Sequence, residues 1–376
     1  MVNWEQLSDE LHRSKRGKIR ITSAVSLESN DDLSTAYTPG VASPTKRIAE
    51  DEDKAFEYTS KERNVAIVTN GTAVLGLGDV GASASIPVME GKAAILKRFA
   101  DIDGYPVPVD DDTPSGVIHV AKSIAPYYNG VNLEDIKAPE CFVVHDKLSE
   151  ELDIPVFHDD QHGTAIVVLA ALANAKALRP FDFDDKIVIN GAGAAGLATA
   201  DLLLHAGYTN ITVLDSKGIL APSRRDMNEY KERLAERVNP EDNVGDLSHA
   251  VRDAAVFIGV SVGGIVTEDH VERMQDDPVV FALANPEPEI HPEKAQRAGA
   301  SIIATGRSDY PNQVNNALVF PGLFNGLIRA GKRNVDLDDM VNVARGIAGT
   351  IEPETDRILP DVFNEDVVES VTNALA

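Results

Sequence analysis

The chain has 376 residues, one cysteine (Cys141) and a net charge of −25, from 60 acidic against 35 basic side chains. That length predicts two domains with ample core, and the acidic balance excludes nucleic acid as a partner, because phosphate binding needs clustered Lys and Arg. A lone cysteine excludes a disulfide framework and suits a reducing cytoplasm, and no apolar run reaches the roughly 18 residues that a membrane helix takes.

In chain order, residues 1–35 read as a helix and then a basic, irregular segment, SKRGKIRITS, with no apolar signal-peptide core. AYTPGVA (36–42) puts Tyr37 just ahead of a Pro39-Gly40 bend, where a ring can be held rigidly. Asn64–Thr69 is a predicted strand, closed by the Asn70-Gly71 turn. A second apolar strand is predicted over Ala73–Leu77, leading into Gly76–Gly81, a glycine-rich candidate anion loop, with Ser83, Ala84 and Ser85 keeping the backbone approachable. After Pro87, GKAAILKRFA (91–100) predicts a helix with Lys92 in its first turn. There the lysine opposes the helix dipole at a cost of up to about 1 kcal/mol. Dipole and desolvation together would lower its pKa toward that of a general base.

Val107–Val109 is a further predicted strand. Glu134 and Asp135 are adjacent carboxylates ahead of Pro139. The predicted strand Ile154–Phe157 runs into His158-Asp159-Asp160-Gln161-His162-Gly163, and an Ala/Leu-rich helix follows over Thr164–Leu178. Paired carboxylates at a strand end mark a site. Three or four carboxylate oxygens suit Mg²⁺ or Mn²⁺; zinc would need a further Cys/His cluster, which is lacking.

The second half is organised around Lys186–Asp215. A β-branched strand (Ile187–Ile189), the G-x-G-x-x-G turn Gly191–Gly196, a helix over Leu197–His205, a strand over Ile211–Leu214 and then Asp215 follow in the order a dinucleotide site needs. The helix N-terminus supplies partial positive charge to a pyrophosphate, and Asp215 stands where a carboxylate accepts from ribose hydroxyls. Lys217, Arg224 and Arg225 lie just beyond and suit a 2′-phosphate instead. Strands over Ala255–Val260, Val279–Ala284 and Ser301–Ala304 each end in a polar or glycine-rich loop, the crevice side of an open parallel sheet. Residues 335–376 read as helical and acidic. The acids form clusters such as Asp31-Asp32, Glu50–Asp53 and Asp110–Asp112, a surface that suits high salt, where self-repulsion is screened.

Seven stretches together resemble the malic enzyme family: AYTPGVA (36–42), LGLGDVG (75–81) with IPVMEGK (86–92), NLEDI (132–136), PVFHDDQHGTA (155–165), GAGAAG (191–196), ANPEPE (284–289) and NNALVFPG (315–322). The likeness covers nearly the whole chain and is closest to the short prokaryotic form, without a C-terminal phosphotransacetylase-like domain. It implies an α/β fold with a malic-type N-terminal α/β domain over residues 1–160. A Rossmann-type doubly wound dinucleotide-binding domain is expected over 161–376, with C-terminal helices able to return to the first domain.

The resemblance also implies oxidative decarboxylation of (S)-malate to pyruvate and CO₂ with Mg²⁺ or Mn²⁺ and NADP or NAD. It makes Glu134, Asp135 and Asp160 the metal ligands, Lys92 the general base and Tyr37 the general acid. Asp159 lies beside the metal and assists proton transfer. Gly191, Gly193, Ala194, Ala195, Gly196, Asp215 and Lys217 face the cofactor, and Asn285 and Asn316 contact substrate and cofactor. The family implies a cytoplasmic homodimer or higher oligomer. Longer relatives carry a carboxylate-gripping arginine where this chain has Ala73; the replacement donors are Ser83 and Ser85 or a partner subunit. The rival readings are a malolactic-type lyase and a nucleotide-binding sensor without catalysis. A simple amino-acid or folate dehydrogenase would share GAGAAG but not the carboxylates.

Overall fold

The computed structural model of the chain describes residues 3–375. Four helices come first: α1 (Trp4–Lys15), α2 (Asn30–Ala36), α3 (Ala42–Glu50) and α4 (Lys54–Tyr58). The first two are capped by their own side chains. Asn3 caps α1, and Ser29 with Asp32 forms a capping box on α2.

The first sheet follows, from β1 (Asn64–Thr69), α5 (Ala82–Ala100), β2 (Asp103–Pro108), α6 (Pro114–Ile124), β3 (Val131–Leu133), α7 (Glu140–Glu151) and β4 (Val156–His158). Its strand order is β2-β1-β3-β4, and every pairing is parallel. β1 is Val/Ile-rich and buried along its whole length, as a covered parallel strand must be.

The long helix α8 (Thr164–Leu178) is apolar all round and buried, and it joins the two halves. The second sheet is built from β5 (Ile187–Asn190), α9 (Ala194–His205), β6 (Ile211–Asp215), β7 (Gly218–Ile219) and α10 (Glu229–Val238). It continues through α11 (Leu247–Ala250), β8 (Val256–Gly259), α12 (Glu268–Glu272), β9 (Val279–Ala282), α13 (Pro292–Arg297) and β10 (Ile302–Thr305). The order is β10-β9-β8-β5-β6-β7, parallel except for the short β7. Strand order reverses between β5 and β8, which sets the ligand crevice there. Then come α14 (Phe320–Ala330), α15 (Leu337–Ala348) and α16 (Glu365–Asn373). α14 lies against α5, and its Phe324 ring stands edge-on to Phe157 of β4 at 6.2 Å. One hydrophobic core therefore runs through both sheets.

Two predicted elements are corrected. Ala73–Leu77 is not a strand but a tight turn, in which the Leu77 and Gly78 N–H groups donate to the Val74 carbonyl; Gly76 and Gly78 take φ values of +76° and +75°, which end any extended run. The helix predicted from Gly91 begins at Ala82 and passes through Pro87. Packing of Ala82, Ser85, Met89, Ala93 and Leu96 on one buried face outweighs the hydrogen bond that proline removes.

Candidate active site

In the first sheet Val68 lies beside Leu133, and Leu133 beside His158. Whatever follows β3 and β4 therefore emerges at one edge: Glu134-Asp135 from the first and Asp159-Asp160 from the second. Lys92 comes from α5, one turn below Met89, and points between them. Its Nζ lies 3.1 Å from Glu134 Oε1 and hydrogen-bonds Asp159 Oδ2. The Phe320 ring stands 4.8 Å from the ammonium, a cation–π contact.

Buried bonds fix the acids. Asn132 Nδ2 donates to Glu134 Oε1 at 2.7 Å, the Asp135 N–H to Asp160 Oδ2 at 2.8 Å, and the Ala73 N–H to the Asp135 carbonyl at 3.0 Å. Asp135 is held at φ +53°, a left-handed conformation that costs a non-glycine residue about 1 kcal/mol. Asp159–Gly163 forms one π-helical turn, a device concentrated at functional sites. Gly163 closes that turn against Asp159: a Cβ there would fall 2.0 Å from Asp159 Oδ1 and 3.4 Å from Asn316 Cβ.

Four carboxylates against one ammonium leave three negative charges if all are ionised. Burial and then the charge of Asp160 push the Asp135 pKa up to about 7. Burial, with Asp159, pushes Asp160 up to about 6 against the pull of Lys92. Glu134 is raised well above the usual range, chiefly by burial. Burial alone would lower Lys92, but Asp159, Glu134 and Asp160 outweigh it and raise the ammonium pKa. This corrects the dipole argument made from sequence: Lys92 sits in mid-helix, not in a first turn, so no helix N-terminus acts on it.

The donor set is hard oxygen, and buried Asp135 Oδ2 and Asp159 Oδ1 have no hydrogen-bond partner. A divalent cation of the Mg²⁺ or Mn²⁺ type fits that chemistry and charge. Among the described residues no three donors already converge as a finished ligand set, since the Lys92 ammonium stands between Glu134 and Asp159. His158 is fully buried with its pKa driven down to about 3, mainly by burial, and the His162 ring stands edge-on to His145 at 4.7 Å. A separate cavity of about 320 Å³, lined by His145, Gln161, His162 and Tyr230, touches neither Lys92 nor the four acids.

The dinucleotide turn has the expected geometry. Gly191 has φ +124°, and a Cβ at Gly196 would fall 1.7 Å from the Gly191 carbonyl oxygen, so helix and strand approach as only glycine allows. At Gly193 a Cβ would meet nothing within 4 Å, which leaves the backbone open to a ligand; Ala194 and Ala195 begin α9. Asn190 Nδ2 donates to Ser261 Oγ at 2.9 Å and ties the loops of β5 and β8 together. Asn285 and Pro286, after β9, reach across to the first domain, 3.1 and 3.0 Å from where a Gly76 Cβ would stand. The 73–81 turn, the four acids and the dinucleotide crevice therefore border one cleft.

Asp215 is not a free carboxylate. Arg224 grips both its oxygens, at 2.9 and 3.0 Å; Lys231 Nζ donates to Oδ2 at 2.8 Å and the Lys217 N–H to Oδ1 at 3.0 Å. The Lys217 side chain pairs with Asp226. Sequence reasoning missed Lys231, which reaches back from α10. It also missed Glu289, fully buried, whose carboxylate accepts from the Ser261 N–H at 2.8 Å and the Ala284 N–H at 2.9 Å and so joins the loops after β8 and β9. The signal for Glu289, Asn132 and Phe320 was their place inside the quoted motifs.

Two other expectations change. Tyr37 follows α2 and is 66% exposed, so the Pro39-Gly40 bend does not hold its ring in the fold. Ser85 is buried and donates to the Ala82 carbonyl at 2.7 Å, which removes it as a carboxylate donor; Ser83 is exposed.

Comparison with known proteins gives consistent matches. Residues 15–116 match the family described as malic enzyme, N-terminal domain, and residues 161–375 match malic enzyme, NAD binding domain. The chain is 45% identical over 371 residues to the bifunctional malic/malolactic enzyme of Bacillus subtilis, covering 97% of this chain and 90% of that one. It is 47% identical over 363 residues to the NAD-dependent malic enzyme of Geobacillus stearothermophilus, covering 96% and 76%. The crystal structure of the NAD-dependent malic enzyme of Thermotoga maritima superposes with a TM-score of 0.94 at 46% identity, over 97% of this chain and 98% of that one.

Proposed function

The chain belongs to the malic enzyme family, and we propose that it oxidatively decarboxylates (S)-malate to pyruvate and CO₂ with NADP⁺ preferred over NAD⁺. The observation that carries the reading is the largely buried Lys92 among four carboxylates, at a cleft shared with the dinucleotide turn. Glu134, Asp135 and Asp160 would hold the divalent cation; Gly191, Gly193, Ala194, Ala195 and Gly196 the cofactor phosphates. When bound, the cation draws charge from the substrate C2 oxygen and the cofactor accepts the C2 hydride.

The chain's own groups supply the proton transfers. Lys92 takes the C2 hydroxyl proton, and Asp159, hydrogen-bonded to its ammonium, orients it and shares the charge it gains. A cation held by the ligand carboxylates would remove the share of Glu134 and Asp160 in raising Lys92, while Asp159, the largest of the raising charges, stays beside the amine and balances the charge it gains. Tyr37 delivers the proton to C3 after CO₂ has left. Asn285 and Asn316, from loops on the cleft, orient the substrate carboxylates and the cofactor. Closure of the cleft excludes water.

Asp215 has both oxygens occupied and is a poor acceptor for ribose hydroxyls, and Arg224, Lys231 and Lys217, paired with Asp215 and Asp226, are the cations that a 2′-phosphate would recruit. That supports NADP⁺. We place the domain boundary at residue 160 and the enzyme in the cytoplasm as a homodimer or higher oligomer; no described helix is long and apolar enough to cross a membrane. The acidic surface is read as adaptation to high salt.

The test is nicotinamide reduction by the purified protein with (S)-malate and Mn²⁺, with NAD⁺ and NADP⁺ in parallel at low and high KCl, and pyruvate assayed. Pyruvate in step with reduced cofactor, faster with NADP⁺ and at high KCl, is expected. Lactate with no net cofactor reduction would move the assignment to a malolactic lyase; no turnover by folded protein would leave the sensor reading.

A further inference from the structure

The cavity of about 320 Å³ beside the π turn lies where the helices of the two domains meet, and the reacting groups do not line it. Its size suits a small organic molecule. The first domain contributes Phe142 and His145 of α7, and the second contributes Ala198 of α9 and Tyr230 of α10. Gln161 and His162, the two residues after Asp160, reach it from the π turn.

The walls are built from the interior. Phe142, Leu197, Leu234 and Met340 all line the cavity and are all buried. The Phe142 and Tyr230 rings pack 4.5 Å apart across the seam between the domains. The two acids of the lining are engaged: Asp146 accepts from the Tyr230 hydroxyl at 3.3 Å, and Asp201 pairs with Arg237. Two donors are not. Gln161 Nε2 is buried without a hydrogen-bond partner, and such a donor is costly until it meets an acceptor. Arg233 lies over the Tyr230 ring, and among the described residues its nearest carboxylate, Glu229, is 3.9 Å away. An unmet buried donor and a loosely paired guanidinium above apolar walls call for an anionic acceptor on an apolar body. A dicarboxylate such as malate does not suit, because its second charge would be buried against those walls without a partner.

We propose that this cavity binds a small monocarboxylate with an apolar aryl or acyl body, its carboxylate taken by Gln161 and Arg233, and that the occupant slows malate turnover. A molecule that touches α7, α9 and α10 at once fixes the spacing of the two domains. It also holds the π turn that carries Asp159 and Asp160. Both effects oppose closure of the cleft. The coupling to turnover rests on the malate reading; the binding does not.

Calorimetric titration of 2-naphthoate into the protein saturated with Mn²⁺ and NADP⁺ tests this. One site per chain is expected. Ala198→Leu fills the cavity and Arg233→Glu reverses the charge at its rim. Each should weaken binding about tenfold or more while keeping the parental melting temperature and uninhibited rate. In the parent, 2-naphthoate should lower kcat several-fold, and malate should not displace it.

No saturable binding, or binding as tight in both variants as in the parent, overturns the site; if Ala198→Leu fails to fold, the exposed Arg233→Glu decides alone. Displacement by malate also overturns it, because the naphthoate would then sit in the catalytic cleft. Binding that leaves kcat unchanged overturns the coupling. Variant-sensitive binding in a chain that does not turn over malate supports the site and refutes the malate reading instead.

Discussion

Replacing Gly163 by alanine separates the geometry of the π turn from its mere presence. The added Cβ falls 2.0 Å from Asp159 Oδ1. Non-bonded atoms do not settle below about 3 Å, so the carboxylate must retreat by roughly 1 Å. Asp159 is completely buried, and its other oxygen holds Lys92. It cannot retreat without dragging the ammonium or releasing it. A misplacement of about 1 Å at a reacting group costs on the order of 10²-fold in rate.

The assay is kcat with malate, Mn²⁺ and NADP⁺, with reduced-cofactor binding by fluorescence and a thermal melt on the same preparation. The expected outcome is kcat down about 100-fold, cofactor affinity nearly unchanged and a melting temperature lowered by the strain of overpacking, about 1–3 kcal/mol. A folded variant that turns over within a few-fold of the parent would refute the reasoning, because Asp159 would then not need the position that Gly163 leaves it.

Lys92→Ala should remove turnover by roughly 10²–10⁴-fold while cofactor affinity, read by calorimetric titration, stays at the parental value; normal turnover would sink its role as base. Glu289→Ala leaves the Ser261 and Ala284 N–H groups unpaired, a cost of about 1–3 kcal/mol each. It should lower the melting temperature and raise the cofactor KM, and a variant unchanged in both would show that the clamp is idle. Asp215 has a depressed pKa, because Arg224 and Lys231 outweigh the opposing effect of burial. A carboxylate depressed in the folded state stabilises above its unfolded pKa of about 3.9, and that contribution disappears as pH falls through the lower folded value. The melting-temperature gap between the parent and Asp215→Asn should therefore be widest near neutrality and close below about pH 4; a gap constant with pH would contradict the ion pairing.

The sequence by itself determined what is local. Strand, glycine turn and helix of the dinucleotide unit lie within thirty consecutive positions, Lys186–Asp215; Gly191 and Gly196 are demanded by contacts inside that unit or just beside it, and Gly193 leaves the backbone open. The acids were legible as chemistry, since oxygen donors at strand ends admit few uses. The tertiary structure decided the rest. The Pro87 helix persists because a buried face across the sheet outweighs one lost hydrogen bond. Asp215 changes character because Arg224 and Lys231, nine and sixteen residues on, fold back onto it. Tyr37 stands in water although its motif is local. Lys92, Glu134 and Asp159 meet only because β1, β3 and β4 pair in one register, and Phe320 joins them from a helix more than two hundred residues after Lys92. No local pattern encodes such distances, because the free energy that brings these groups together comes from burying a core that runs through both domains.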